Sequence, residues 1–170
     1  DSILEVLKFF SIKRYCRLGG MYDNVPHTRP LLVTGSTGGI PLKGDGGDLR
    51  ISQSNYEGPT SIMNLVTEGL PKLGSDVTSM NFMVHLPRYI QLEEDYAGAA
   101  RLLDVLSCIY DLPPNLSPTE RGRRQYTELS MAVERNPEIK AVVAEIEARY
   151  DSQEAAREEI SNAPPLSPAV

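Results

Sequence analysis

The residues best suited to hold a small anion lie in two short segments, residues 27–29 and residues 57–61. The guanidinium of Arg29 is a planar fork that suits phosphate or carboxylate groups, and the imidazole of His27 can transfer a proton near neutral pH. Pro59 favours the first turn of a helix, where free backbone amides stabilise an anion. The candidate ligand-binding residues are therefore His27, Arg29, Glu57, Thr60 and Ser61.

Both segments also have a purely structural explanation. His27 and Arg29 can fasten a loop stiffened by Pro26 and Pro30, with Arg29 pairing with Glu57 or with a carbonyl group. The sequence contains two histidines and two cysteines, and it has no HExxH, GxSxG, P-loop or dinucleotide pattern. We therefore predict no catalytic residue, no metal site and no cofactor.

The elements that must position these segments alternate between strand and helix. Residues 31–34 and 77–84 have the apolar character of buried strands, whereas residues 59–73 and 93–110 carry apolar stripes of helical period. Strands separated by helices of this length are typical of parallel crossover units. The sequence therefore predicts an α/β fold with a mostly parallel sheet.

The second part of the chain has a helical pattern. Residues 117–120 read as a capping box that opens a helix, and Asn136-Pro137 opens another. Its stripe of Ile139, Val142, Val143 and Ile146 is expected to pack in a subunit interface or against the sheet. We predict an α/β part at residues 1–112, a helical appendage at 113–162 and a disordered tail at 163–170.

The amino-acid composition limits the kinds of partner that the protein can bind. The net charge is −6, and residues 91–170 carry fifteen Asp or Glu against eight Lys or Arg, a balance that argues against a nucleic-acid partner. No apolar stretch reaches the roughly 20 residues that a membrane span needs. Cys16 and Cys108 lack the spacing of a metal site or a redox pair, which fits the reducing cytoplasm.

The chain starts without methionine and has few strands for an α/β fold. These two features predict that further strands of the sheet are missing upstream. Only about three strands are recognisable, and so small a sheet buries little and leaves a bare edge. We therefore expect the native polypeptide to carry about a hundred further residues upstream.

Four segments, occurring in order, carry a resemblance to a known family. They are Val25-Pro26-His27-Thr28-Arg29-Pro30, Asn55-Tyr56-Glu57-Gly58-Pro59-Thr60-Ser61-Ile62, Leu86 through Leu103, and Asn136-Pro137-Glu138-Ile139 through Tyr150-Asp151. Together they resemble the second half of a proteasome assembly chaperone family protein, in the bacterial, chiefly actinobacterial, branch of unassigned function. The family's Trp-Asn-Asp-Ala-Gly-like motif is absent, and Pro87-Arg88-Tyr89 stands where the family often has Pro-His-Tyr.

The resemblance implies a three-layer α/β/α sandwich like that of nucleoside phosphorylases, followed by helices. It also implies a homo-oligomer, for which we expect a trimer, and other protein subunits as further partners. The first functional hypothesis is a non-catalytic assembly or scaffolding protein. The alternative is a nucleoside hydrolase or phosphorylase that holds a small anionic or nucleoside substrate beside Arg29.

Overall fold

The computed structural model describes residues 2–42, 51–52, 62–73 and 77–162. The elements are α1 (Ser2–Phe9), β1 (Arg14–Asp23), β2 (Val33–Ser36), β3 (Ile51–Ser52), α2 (Ile62–Gly69), β4 (Thr78–Pro87), α3 (Tyr96–Ser107), α4 (Thr119–Glu134) and α5 (Pro137–Asn162). Short 3-10 helices at Leu70–Leu73 and Pro114–Leu116 follow α2 and precede α4. No helix in these ranges is both long enough and apolar enough to cross a bilayer.

The four described strands form one mixed sheet in the order β1-β4-β2-β3. β1 pairs with β4 in parallel along ten residues, β2 pairs with β4 antiparallel, and β3 pairs with β2 in parallel. The prediction of a mostly parallel sheet was therefore wrong. The connection from β1 to β2, residues 24–32, contains no helix, and a parallel return needs a crossover of a dozen or more residues.

The main core lies between the sheet and α3. Strand residues Val33, Met80, Phe82 and Val84 pack with Val105 of α3, and all are almost completely buried. Alternation along β4 places these side chains on one face, because successive side chains of a strand point to opposite faces. The sheet and α3 therefore form the rigid frame that carries the polar clusters described below.

α4 and α5 form a hairpin that extends this frame. α4 crosses α3 closely, since a Cβ atom on Gly122 would lie 2.8 Å from the backbone of Ala97. The predicted capping box at the start of α4 does not form, because its N-cap is Pro118 and Ser117 bonds to the Thr119 hydroxyl instead. Asn136 does cap α5, accepting hydrogen bonds from the amides of residues 138 and 139.

The predicted apolar stripe of α5 is divided between two environments. Val143 and Ile146 are buried, whereas Ile139 and Val142 are 37% and 48% exposed. α5 continues as one helix of 26 residues to Asn162.

Candidate functional site

His27 is the buried centre of a hydrogen-bonded ladder that joins the residue 24–32 loop to α4. Its backbone N–H donates to the Tyr89 hydroxyl at 2.8 Å, and its ring nitrogens lie 2.7 Å from that hydroxyl and 3.0 Å from Ser130 Oγ. Ser130 donates its own hydrogen to the Tyr126 carbonyl. Ser130 must therefore accept a hydrogen bond from Nε2–H of His27, and Nδ1 of His27 must accept one from Tyr89.

Burial within this ladder favours the neutral form of His27. Burial lowers the pKa of His27 below its ordinary value, although the charge of Glu147 opposes the shift. Burial also raises the pKa of Tyr89, so that its hydroxyl keeps the hydrogen it donates. The neutral imidazole, with both ring nitrogens hydrogen-bonded, fastens the loop to Tyr89 and Ser130.

Arg29 is held by the acidic face of α5. Its Nε and Nη2 donate to the two carboxylate oxygens of Asp151 at 2.9 and 2.8 Å, and its Nη1 lies 3.4 Å from Glu147. The hydrogen bond to Arg29 lowers the pKa of Asp151. Arg29 thus joins the loop to α5 through Asp151 and Glu147, and its predicted pairing with Glu57 or with a carbonyl group stays a prediction.

Two further bonds complete this attachment. Thr28 donates a hydrogen bond to Glu147, and the Tyr150 hydroxyl donates one to the Pro30 carbonyl at 2.8 Å. The remaining predicted ligand residues, Glu57, Thr60 and Ser61, lie outside the described residues. The structure therefore brings His27 and Arg29 together with α4 and α5, and the proposed second half of the ligand site stays a prediction.

The cavity beside His27 is small. It measures about 120 Å³ and is lined in part by Ser130, Val133, Val143 and Glu147. Pockets that hold drug-sized ligands usually enclose about 300–1,000 Å³. The space next to the ladder is therefore too small for a nucleoside.

A second polar cluster lies on the sheet itself. Asp23 Oδ2 is 2.7 Å from His85 Nδ1, and His85 Nε2 is 2.9 Å from Thr34 Oγ1. Because a carboxylate only accepts hydrogen bonds, Nδ1 of His85 carries a hydrogen and, in the neutral ring, Nε2 accepts one from Thr34. Burial would raise the pKa of Asp23, but hydrogen bonds from His85 and the Asn24 amide outweigh it, and the pKa is lowered.

The order carboxylate, imidazole, hydroxyl is also that of a hydrolase triad. Thr34, however, is only 8% exposed within a central strand. The cluster therefore fastens β1, β4 and β2 to one another. The sequence does not show this cluster, because the register that places Asp23 and Thr34 beside His85 is a property of the sheet.

No group of three His, Cys, Asp or Glu side chains suited to a metal ion occurs within the described part of the chain. The hydrogen bonds of the two polar clusters join elements of the α/β frame to one another.

A chain with this frame matches a known family over most of its length. The sequence model of the PAC2 family matches residues 1–134, and the chain belongs to that family. The resemblance to proteasome assembly chaperones is thereby confirmed. No curated protein matches the chain.

Solved structures share the fold. A protein of unknown function from Mycobacterium tuberculosis is 25% identical, with a TM-score of 0.74 over 94% of this chain and 53% of that protein. A protein of unknown function from Corynebacterium glutamicum is 25% identical, with a TM-score of 0.72 over 91% of this chain and 56% of that one. A Mycobacterium tuberculosis proteasome-assembly chaperone homologue is 20% identical, with a TM-score of 0.64 over 84% and 59%. The chain thus spans little more than half the length of these proteins.

Proposed function

We propose that the protein is a non-catalytic, oligomeric assembly or scaffolding protein of the proteasome assembly chaperone type. The observation that supports this proposal concerns His27 and Arg29, the side chains best suited to transfer a proton and to bind an anion. Their side chains are committed to Tyr89, Ser130, Asp151 and Glu147. They hold the α4–α5 hairpin against the frame. A fixed hairpin presents a surface of constant shape, which the binding of a protein partner needs.

The same hairpin offers apolar side chains for association. Met131 is 50% exposed, Val142 is 48% exposed and Ile139 is 37% exposed. Large apolar side chains that lie exposed on the two helices of one hairpin favour a protein contact. We propose that they are covered in a homo-oligomer, with a trimer as the expected size, and that other protein subunits dock on the oligomer.

The wider organisation follows the same proposal. Residues 1–112 would belong to a three-layer α/β/α sandwich like that of nucleoside phosphorylases, residues 113–162 would form the helical appendage, and residues 163–170 a tail. The protein would act in the cytoplasm. The solved relative named as a proteasome-assembly chaperone homologue makes proteasome subunits the first partners to test.

Light scattering tests the association. The wild-type protein is expected to form a homo-oligomer at micromolar concentration, and Val142→Glu is expected to dissociate it without changing the far-ultraviolet circular dichroism. Arg149→Glu is the matched control, since Arg149 lies on the same helix in an exposed pair with Glu145. A monomeric wild-type protein would contradict the proposed oligomer.

Assembly activity needs a separate measurement. Proteasome α and β subunits from the same organism are mixed with and without the protein, and native gels follow the rate at which assembled particles form. The proposal predicts faster assembly with the wild-type protein and a smaller effect with Val142→Glu. If the protein neither binds the subunits nor alters the rate, the proteasome subunits are not its partners.

A further inference from the structure

Two cavities adjoin along the junction of α3 and α4, away from the His27 ladder. The first measures about 240 Å³ and the second about 280 Å³. Asp104 and Thr119 line both of them, so the two spaces lie side by side. Each cavity is smaller than the usual ligand pocket of about 300–1,000 Å³, which limits the site to a small ligand.

The first cavity is basic. Arg29 reaches it from the loop, Arg101 from α3 and Arg123 from α4, and Asp104 is its one carboxylate. Arg29 is already committed to α5, and Arg101 uses Nε to donate to the Leu31 carbonyl at 3.0 Å. Arg123 makes a 3.0 Å contact through Nη1 with Glu120, and both of these side chains are mostly exposed. Such an exposed pair contributes little stability and is readily exchanged for a ligand.

The second cavity is largely apolar. Leu103, Leu112, Pro113 and Leu116 form most of its wall, and Leu116 is 55% exposed. A ligand that covered Leu116 would remove apolar surface from water, which is favourable in proportion to the area buried. A basic space and an apolar space therefore share one boundary.

Asp104 has an unusual position at that boundary. Burial raises the pKa of its carboxyl group, and the nearby charge of Arg101 opposes the shift. A carboxylate at this place offsets the positive charge that Arg101 and Arg123 bring to the first cavity. Removal of its charge would strengthen the attraction of an anion.

We infer that the paired cavities bind a small amphipathic carboxylate, with its carboxylate at Arg123 in the basic cavity and its apolar group against Leu103 and Leu116. Guanidinium groups bind carboxylates through parallel hydrogen bonds, and the apolar cavity fits an aliphatic side chain or a short hydrocarbon tail. The ligand can be the end of a peptide or a short aliphatic acid, which share this chemistry. The inference is independent of the proposed assembly function.

Calorimetric titration of the whole chain with four probes tests the inference. The probes are N-acetyl-Leu-Leu with a free carboxylate, the same dipeptide as its amide, octanoate and octanamide. At least one acid is expected to bind, and to bind roughly tenfold or more tightly than its own amide. Preference for the dipeptide acid identifies a peptide terminus as the source, whereas preference for octanoate identifies an aliphatic acid. If neither acid binds more tightly than its amide, the inference is wrong.

Three variants locate the site. Arg123→Gln is expected to weaken binding of the acid about tenfold, and Asp104→Asn to strengthen it severalfold, because the two changes alter the cavity charge in opposite directions. Leu116→Asp should weaken binding of the acids and of any amide that binds. Arg149→Gln, on α5 and outside both cavities, should leave the affinity unchanged. Equal effects of Arg123→Gln and Arg149→Gln would overturn the assignment, and light scattering reports separately on the oligomer.

Discussion

Arg29 and Asp151 lie 122 positions apart in the sequence, yet the guanidinium of Arg29 meets both carboxylate oxygens of Asp151 at 2.9 and 2.8 Å. Such a two-point contact fixes the direction of both side chains as well as their distance. It joins the loop after β1 to the middle of α5, and Thr28 and Tyr150 reinforce it. The position of α5 on the frame is therefore specified by polar contacts as much as by Val143 and Ile146.

Replacement of Arg29 by Ala should lower the melting temperature by a few degrees. The reason is that the paired hydrogen bonds to Asp151 are lost. The decrease in melting temperature should be smaller at high salt, because salt screens exposed charges. Thermal unfolding at low and high ionic strength measures both effects. Arg149→Ala, which removes an exposed pair within one helix, should have a smaller effect.

The same Arg29→Ala variant separates the two functional hypotheses. As a brace, Arg29 can be removed without altering any response of the melting temperature to phosphate or nucleosides. If phosphate or a nucleoside stabilises the wild-type protein and Arg29→Ala abolishes that stabilisation, Arg29 contacts a ligand and the enzyme hypothesis gains its first support.

Replacement of His27 by Ala should cost about 2–4 kcal/mol in the free energy of unfolding, because Tyr89 and Ser130 would lose buried partners. Ser130→Ala should cost about 1 kcal/mol, and the double variant should cost less than the sum, since the two residues share one bond. Urea unfolding measures all three. Ser107 makes the same backbone bond to Leu103 without a histidine, so Ser107→Ala should cost less than Ser130→Ala.

Stability should fall as the pH drops below about 6.5, the ordinary pKa of histidine. In this range the unfolded chain binds a proton at His27, whereas the folded protein, in which burial lowers the pKa, does not. The stability that neutral His27 contributes is fully present above about pH 6.5. It is lost as the pH falls toward the pKa of His27 in the folded protein. The slope from one such proton is at most about 1.4 kcal/mol per pH unit.

Urea unfolding of the wild type and of His27→Gln between pH 7.5 and 5.5 checks this pH dependence, and the variant should show the shallower slope. Asp23 contributes separately, since its lowered pKa gives stability that is lost only below about pH 3.8. Parallel slopes for the wild type and the variant would show that His27 does not titrate as its burial requires.

Tyr126→Phe should cost about 1 kcal/mol, because the tyrosine hydroxyl donates to Asp95 Oδ2 at 2.9 Å. Asp95→Ala should cost more than Tyr126→Phe. It removes this bond and also the N-cap of α3, where Asp95 accepts from the Gly98 amide at 2.7 Å. Chemical denaturation gives both values, and a larger cost for Tyr126→Phe would contradict the shared role of Asp95.

Local patterns in the sequence predicted most of the described helices and picked out His27 and Arg29. They did not predict the partners of these residues, since Ser130 and Asp151 follow more than a hundred positions later. The acidic residues of α5 gave no local sign of a brace, because Arg29, the partner of Asp151, lies 122 positions earlier in the chain.

The strands show a similar limit. Glycine is unfavourable inside a strand, yet β1 continues through Gly19 and Gly20 to Asp23. A Cβ atom on Gly19 would lie 3.0 Å from the sulfur of Met83, so glycine leaves room for a neighbour's side chain. The antiparallel direction of β2 depends likewise on pairing with a strand that comes later in the chain.

Because β1 pairs with β4, its pairing must wait until β4 has been synthesised. Arg14 pairs with Thr78, 64 positions later, and β4 is the only strand that pairs with β1 in the described sheet. Ribosomes add about 5–20 residues per second, so β1 leaves the exit tunnel about 3–13 seconds before the first residue of its partner. For that interval β1 lacks its partner in the described sheet, and the edge that β4 will cover can pair with other nascent chains. Translation speed between residues 24 and 78 therefore influences how much of the protein reaches its native sheet.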